Sequence, residues 1–269
     1  MIISTISDYE KLCKRNFLFR GQANIEWELL PGTYRKDSNI ANPAIEKETV
    51  NRFIRHSQEN GYHNFDQNII QYDLLTKKSE FFPTNELLPY WALAQHYAYD
   101  SHYPCFKTSL LDVTFNKDIA AYFAIGNEND EVYDGKIFIF DLSRMIKPIK
   151  FYNPRGDPRI EARMVVQDCA FIYKEQKCDN RTENEPYKNE EEFNDIIKDI
   201  IIIPSSLKPI LREYLQKKLC DLLMLPRLIL GQGTPNLSTA GYHTYEELRE
   251  IHKSKVEEFE KRGDNHLAY

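Results

Sequence analysis

The chain has 269 residues and is 42% hydrophobic, which allows one large domain or two small ones with a substantial core. Its formal net charge of -6 does not indicate non-specific binding to nucleic acid, and its 10 glycines disfavour a glycine-rich phosphate loop. The five cysteines form no CxxC pair, which disfavours a zinc site and favours reduced thiols in a cytoplasmic protein. No apolar run is long enough to span a membrane.

The first part of the chain is predicted to contain three helices and one strand. Residues 4–15 indicate a short helix capped by Ser7 or Asp8, and the apolar run at 17–21 indicates a strand. Apolar residues at helical spacing predict two further helices, over about 43–59 and about 88–99.

The second part alternates between strands and helices. Residues 109–129 predict a strand, a turn and a helix, with Thr114 or Asn116 as its cap. Residues 134–142 alternate as a strand does, and 163–174 predict a strand pair or one bent strand. The rest of the chain is predicted to contain a polar surface excursion at about 174–194, a strand before Pro204, a helix from about Leu207, and an exposed terminal helix.

Strands interleaved with helices, without regular βαβ spacing, favour an α+β fold with a mixed or antiparallel sheet flanked by helices. We expect a single domain over residues 1–240 and a helix with a tail over 241–269.

Arg20 stands at the end of the first predicted strand, directly before Gly21 and Gln22. An unpartnered buried guanidinium is costly, so Arg20 either forms a buried ion pair that fastens the strand or binds an anion. In the second case it binds phosphate or carboxylate through two hydrogen bonds, and Gly21 lets the ligand approach the backbone. Residue type alone leaves both interpretations open.

Two further segments carry polar residues within apolar surroundings. Asp112, Thr114 and Asn116 alternate at strand spacing, which suits a small polar pocket, although turn and capping roles explain such residues as well. Arg163 and Gln167 share a face if their segment is a strand, and Gln167 then needs a ligand hydroxyl or a neighbouring loop as its partner.

Structural roles compete with these functional ones. His96 follows Gln95 on an apolar helix, where a single histidine is more often structural than catalytic. Arg20, Asp112 and Arg163 also suit a structural polar network in the core.

These segments, in this order over about residues 10–235, resemble the FRG domain family, whose name corresponds to Phe19-Arg20-Gly21 here. The family pattern runs FRGQ, W-x-L-x-P-x-x-x-R, LAQHYG, TRLLDWT-x-NP, A-x-YFA and R-x-x-x-Q-x-G-x-F. The residues that match are Gln22, Trp27, Leu29, Pro31, Arg35, Leu93, Ala94, Gln95, His96, Tyr97, Thr108, Leu110, Leu111, Asp112, Thr114, Asn116, Ala121, Tyr122, Phe123, Ala124, Arg163, Gln167 and Phe171.

The chain also departs from the family pattern. Ala98 and Cys169 replace glycines, Ser109 and Val113 replace an arginine and a tryptophan, and an insertion separates His96 from Thr108. At these positions the site of this chain differs from the family pattern.

The family layout is in turn similar to ADP-ribosyltransferase-type NAD-binding folds. By that resemblance Arg20 would hold the phosphate or nicotinamide ribose of NAD, Thr114 would line the nicotinamide pocket, and Gln167 would occupy the place of the catalytic glutamate. The other residues of the NAD site that the resemblance implies are Gly21, Gln22, His96, Asp112, Asn116 and Arg163. No metal is expected.

The resemblance implies an ADP-ribosyltransferase or NAD glycohydrolase that acts as a bacterial or phage toxin or defence effector on an unidentified macromolecular acceptor. Cleavage of the bond between nicotinamide and ribose develops an oxocarbenium-like cation, which a carboxylate stabilises. A neutral Gln167 does not supply that charge, so Asp112 or Glu161 are alternative sources. The alternative function is a non-catalytic module that binds a nucleotide or a protein.

Overall fold

A six-stranded antiparallel sheet forms the centre of the protein. The computed structural model describes residues 1–12, 17–35, 46, 50, 81–82, 88–96, 108–145, 149–154, 164, 167–174, 176–177 and 190–219. Most of the predicted helix at 43–59 and of the polar excursion at 174–194 lies outside these residues, as does the whole predicted C-terminal helix and tail at 241–269.

The strands of the sheet are β1 (Phe17–Gln22), β3 (Leu111–Thr114), β4 (Gly135–Asp141), β5 (Ile149–Tyr152), β6 (Cys169–Lys174) and β8 (Ile197–Ile203). They are hydrogen-bonded in the order β5-β6-β3-β1-β4-β8. A separate pair is formed by β2 (Phe81–Phe82) and β7 (Gln176–Lys177). Every pairing within the large sheet is antiparallel, which together with the flanking helices confirms the α+β prediction.

Four α-helices accompany the sheet in the described ranges: α1 (Ile6–Glu10), α2 (Leu88–His96), α3 (Lys117–Ile125) and α4 (Lys208–Lys218). The cap predicted for α1 was wrong, because Thr5 caps this helix and forms a reciprocal capping box with Asp8. The cap predicted at Asn116 is confirmed, since its side chain accepts a hydrogen bond from the Asp118 N–H at 2.8 Å. None of the helices described is both long and apolar enough to cross a membrane.

Both faces of the sheet are buried. One face carries two hydrophobic clusters, one packing α2 against β6 around Trp91 and Phe171, the other packing α1, α3 and α4 against β1, β4 and β8. The opposite face carries a third cluster around Phe138 and Ile172. Because successive side chains of a strand point to opposite faces, the apolar residues of one strand contribute to hydrophobic clusters on both faces of the sheet.

Helix α3 lies unusually close to strands β1 and β4. A Cβ atom on Gly21 would lie 1.8 Å from the Ala120 carbonyl oxygen, and one on Gly135 would lie 2.1 Å from the Ala124 carbonyl oxygen. Because these obstacles belong to the helix backbone, a side chain at either position has no room. The glycine of the FRG sequence is thus required for helix packing, whatever else it does.

The segment around Gln167 differs from its prediction. The strand begins only at Cys169, Met164 is helical, and Gln167 and Asp168 form a turn in which Asp168 has a φ of 49°. The expectation that Gln167 lies on a strand face is therefore wrong. Arg163 lies outside the described residues.

Candidate functional site

The candidate site lies where two central strands separate. Strand β1 pairs with β4 over all six of its residues, whereas it pairs with β3 only through Phe19 and Thr114. Strand β3 pairs along its whole length with β6 on its other side. Because β1 and β3 separate beyond this pair, main-chain and side-chain groups of both strands face a gap. The hydrophobic cluster around α2 lies on one side of the gap and the cluster around α3 on the other.

A cavity of about 180 Å³ occupies this gap. The residues that line it are Phe19, Arg20 and Gly21 from β1, Gln95 from α2, Asp112, Val113 and Thr114 from β3, Phe123 from α3, and Gln167 and Cys169 from the turn and start of β6. The structure thus brings Arg20, Asp112, Thr114 and Gln167 together, as predicted from sequence. Their functional roles stay predictions.

Arg20 supplies the positive charge of the cavity. Its Nη1 donates a hydrogen bond to the Asp112 carbonyl oxygen at 2.5 Å and lies 3.9 Å from the carboxylate oxygen Oδ2 of the same residue. The buried Nε of Arg20 has no hydrogen-bond partner among the described residues. Burial lowers the pKa of Arg20 to about 10, the Asp112 charge opposes this shift, and the Arg35 charge adds to it. Arg20 therefore remains a cation at neutral pH, with donor capacity left for an anion.

Asp112 supplies the negative charge, and an amide holds it in place. Gln95 Nε2 donates to Asp112 Oδ2, while Gln95 Oε1 accepts a hydrogen bond from the Thr108 hydroxyl. Thr108 Oγ1 in turn accepts from the Leu110 N–H at 3.2 Å, so its own proton is directed at Gln95. This chain of bonds fixes which end of the Gln95 amide faces the carboxylate. The Asp112 side chain is 38% exposed, so solvent reaches this end of the cavity.

We expect Gln95→Leu to destabilise the protein by about 1–3 kcal/mol, because it removes the amide that the buried Thr108 hydroxyl and the Asp112 carboxylate both use. Denaturant unfolding measures the effect. The matched control is Gln216→Leu, at an exposed position of α4, which should change the free energy of unfolding by less than about 0.5 kcal/mol. Equal effects of the two substitutions would show that the hydrogen bonds of Gln95 with Thr108 and Asp112 do not contribute to the free energy of unfolding.

Thr114 and Gln167 line the cavity but already have structural bonds. The Thr114 hydroxyl donates to the Gln167 carbonyl oxygen at 2.7 Å and accepts from the Asn116 N–H at 3.0 Å. The Gln167 side-chain oxygen accepts a hydrogen bond from Cys169 Sγ at 3.4 Å. These contacts fasten the turn before β6 to the end of β3. A neutral amide held in this way orients a ligand but supplies no charge.

Two of the predicted site residues, Gln22 and Asn116, lie outside the cavity lining. Gln22 is buried and donates from Nε2 to the Glu28 carbonyl oxygen at 3.0 Å, so it fastens the loop after β1. Asn116 caps α3 and does not belong to the cavity lining. The His96 main chain ends α2, while its side chain and Arg163 are outside what the structure describes.

The prediction did not assign five lining residues to the site: Phe19, Gln95, Val113, Phe123 and Cys169. Phe19, Gln95 and Phe123 stand in the matched motifs FRGQ, LAQHY and YFA, so the motifs themselves were the available signal. Val113 and Cys169 stood out only as departures from the family pattern. Among the described residues, no group of three or more histidine, cysteine or acidic side chains is arranged to hold a metal ion.

Residues 15–132 match the family model of the FRG domain. The matched range contains all the cavity-lining residues except Gln167 and Cys169. No curated protein matches the chain, and neither does any solved structure.

Proposed function

Because the chain carries an FRG domain over residues 15–132, we propose that its cavity binds the nicotinamide end of NAD and cleaves the bond between nicotinamide and ribose. The observation that carries the proposal is the convergence of one guanidinium and one carboxylate on the cavity between β1 and β3. NAD offers the complementary charges, since its pyrophosphate is anionic and its ribose becomes cationic as the bond breaks.

The size of the cavity defines which part of NAD it receives. A volume of about 180 Å³ is below the ~300 Å³ at which pockets for drug-sized ligands begin, so the cavity holds one end of the dinucleotide. The rest extends past Asp112, on the side that solvent reaches. The Arg20 guanidinium, whose Nε has no partner among the described residues, is the group that we assign to the phosphate or ribose oxygens.

Asp112 takes the electrostatic role in this proposal. When the bond between ribose C1′ and the nicotinamide nitrogen breaks, its electron pair leaves with nicotinamide and the ribose becomes an oxocarbenium-like cation. A fixed carboxylate stabilises that cation, and Gln95 holds the Asp112 carboxylate in one orientation. Water, or a nucleophile of an acceptor molecule, then bonds to C1′ and releases a proton to solvent. Gln167 is neutral, so we assign it no part in charge stabilisation.

The test is incubation of the purified chain with NAD, followed by chromatography for released nicotinamide. Asp112→Asn keeps an oxygen for the Gln95 amide and removes the charge, so we expect release to slow by about 100-fold or more while the melting temperature changes little. The control is Asp195→Asn, at an exposed turn away from the cavity, which should release nicotinamide as the wild type does. Equal rates for wild type and Asp112→Asn would refute the assigned role.

A second candidate function is nucleotide binding without cleavage. It is favoured by the structural bonds of Thr114 and Gln167, which leave Asp112 as the one lining residue able to supply negative charge. Calorimetry together with the nicotinamide assay separates the two functions. If the domain only binds its nucleotide, NAD or ADP-ribose binds, Arg20→Ala weakens the binding, and no nicotinamide is released.

Loss of NAD stops growth, so a cleaving domain fits a toxin or defence effector that acts inside cells. Induced expression in a bacterial host should then halt growth, and Asp112→Asn should restore it. Growth arrest that persists in Asp112→Asn would separate toxicity from NAD cleavage.

A further inference from the structure

Half of the large exposed apolar side chains in the described residues lie beside one end of the sheet. The described residues contain six of them, Met1, Ile2, Trp27, Val132, Tyr133 and Ile210. Three, Trp27, Val132 and Tyr133, stand in the two loops 24–28 and 126–134, the second of which contains a 3₁₀ helix at Glu128–Val132, and 50%, 74% and 48% of their surface is exposed. Isolated exposed apolar residues are ordinary, whereas two aromatic rings and a valine on adjoining loops indicate a binding surface.

The two loops adjoin because the chain bonds them to each other. The Ile25 N–H donates to the Asp134 carbonyl oxygen at 2.8 Å. The ammonium of Lys208, which is 0% exposed, donates to the carbonyl oxygens of Ala23 at 2.6 Å and Asp130 at 2.8 Å. A buried lysine therefore links both loops to the start of α4. A surface held in this way loses little conformational freedom on binding.

Acidic residues surround the apolar side chains. Loops 24–28 and 126–134 contain six of them, Glu26, Glu28, Glu128, Asp130, Glu131 and Asp134, and no lysine or arginine. Of the basic residues that reach these loops from α4, Lys208 is buried and Arg212 is bonded to Glu131. We call the surface formed by Trp27, Val132, Tyr133, Glu26, Glu28 and Glu128 the acidic aromatic face.

This chemistry selects one class of partner. Nucleic acid and anionic membranes are repelled by a surface of this charge. Lysine and arginine side chains are attracted to it, and they bind over the faces of tryptophan and tyrosine rings as well as to carboxylates. Aromatic anchors are also the side chains that contribute most to protein interfaces.

We propose that the acidic aromatic face docks a basic segment of a partner protein, with cationic side chains over Trp27 and Tyr133 and against Glu26 and Glu128. This inference does not depend on the cleavage of NAD, because no residue of the face lines the cavity.

The test uses a fluorescent peptide of alternating arginine and glycine, titrated with the full chain at low and at physiological salt. We expect binding that weakens with salt, a loss of affinity of about tenfold or more in Trp27→Ala, and a similar loss in the charge reversal Glu26→Lys. Melting temperatures check that the variants are folded, which is expected since both side chains are exposed.

The matched control is Asp195→Lys. It makes the same charge change at an exposed residue beside the opposite end of β4, where the Asp141 N–H donates to the Ile196 carbonyl oxygen. The length of β4 places this residue about 20 Å from the acidic aromatic face. It should leave affinity unchanged. If Asp195→Lys weakens binding as much as Glu26→Lys, only the net charge attracts the peptide and the proposal fails. Unchanged affinity in Trp27→Ala, or a dimer in sedimentation that Trp27→Ala dissolves, also overturns it.

Discussion

Gly21→Ala should be among the most destabilising single substitutions in this protein. The added Cβ would lie 1.8 Å from the Ala120 carbonyl oxygen and 2.7 Å from the Ala124 nitrogen, both backbone atoms of α3. Neither atom moves without shifting the helix away from the strand. The hydrophobic cluster that packs α1, α3 and α4 against β1, β4 and β8 depends on that contact. We expect a loss of about 3 kcal/mol or more in the free energy of unfolding, beyond the usual range for one added methyl group.

Thermal or denaturant unfolding of Gly21→Ala measures this loss, and low recovery of folded protein would be its extreme form. Ser206→Thr is the matched control, because it also adds one methyl group but at an exposed position before α4. The control should change stability by less than about 0.5 kcal/mol. A Gly21→Ala protein as stable as the wild type would mean that α3 packs less closely on β1 than described.

Glu46→Gln should change how stability depends on pH. The Glu46 side chain is buried, and its Oε1 accepts hydrogen bonds from Trp91 Nε1 at 2.8 Å, the Ser109 N–H at 2.6 Å and the Ser109 hydroxyl at 2.9 Å. Burial raises the pKa of Glu46 from 4.5 to about 7, against the effect of these donors. All three reach one oxygen, so a proton on Oε2 leaves them in place.

The sign follows from proton binding. Between the unfolded pKa of 4.5 and the folded pKa of about 7, the folded chain holds a proton at Glu46 that the unfolded chain has lost. Wild-type stability therefore decreases as pH rises through this range, by up to about 3 kcal/mol from this residue. Glutamine keeps the acceptor oxygen and has no proton to lose, so Glu46→Gln should be the more stable protein above pH 7.

Denaturant unfolding of both proteins between about pH 4 and pH 8 gives the difference curve, in which all other titrating groups cancel. A difference that grows with pH supports a neutral Glu46 in the folded protein. Parallel curves would indicate instead that Glu46 stays charged, stabilised by its three donors.

Much of the central sheet was predictable because its signals are local. The apolar run at 137–140 in β4 and the apolar start of β1 are strand patterns that need no distant partner to be recognised. Asn116 caps α3 through a hydrogen bond two residues away, which is also a local signal. Thr5 was missed as the cap of α1 because Thr5, Ser7 and Asp8 are all suitable capping residues, and geometry alone separates them.

The turn at Gln167 was not predictable in the same way. The sequence VVQDCAF contains neither glycine nor proline, so it reads as a continuous strand, yet Asp168 adopts a left-handed backbone conformation there. Glu46 poses another difficulty, since its partners Trp91 and Ser109 lie 45 and 63 residues further along the chain. The convergence of Arg20 with Asp112 was predictable only from the order of the motifs.

The pairing of β1 with β3 has a mechanical consequence. Strands β5, β6 and β3 pair as one half of the sheet and β1, β4 and β8 as the other, and Phe19 and Thr114 provide the single backbone register pair between the halves. Any rotation of one half-sheet against the other concentrates at this hinge. The Arg20 side chain already bridges the halves through its hydrogen bond to the Asp112 carbonyl oxygen, and a molecule bound in the cavity would add further bonds between them. Occupancy should therefore slow amide hydrogen exchange around Phe19 and Thr114 before it affects the outer strands.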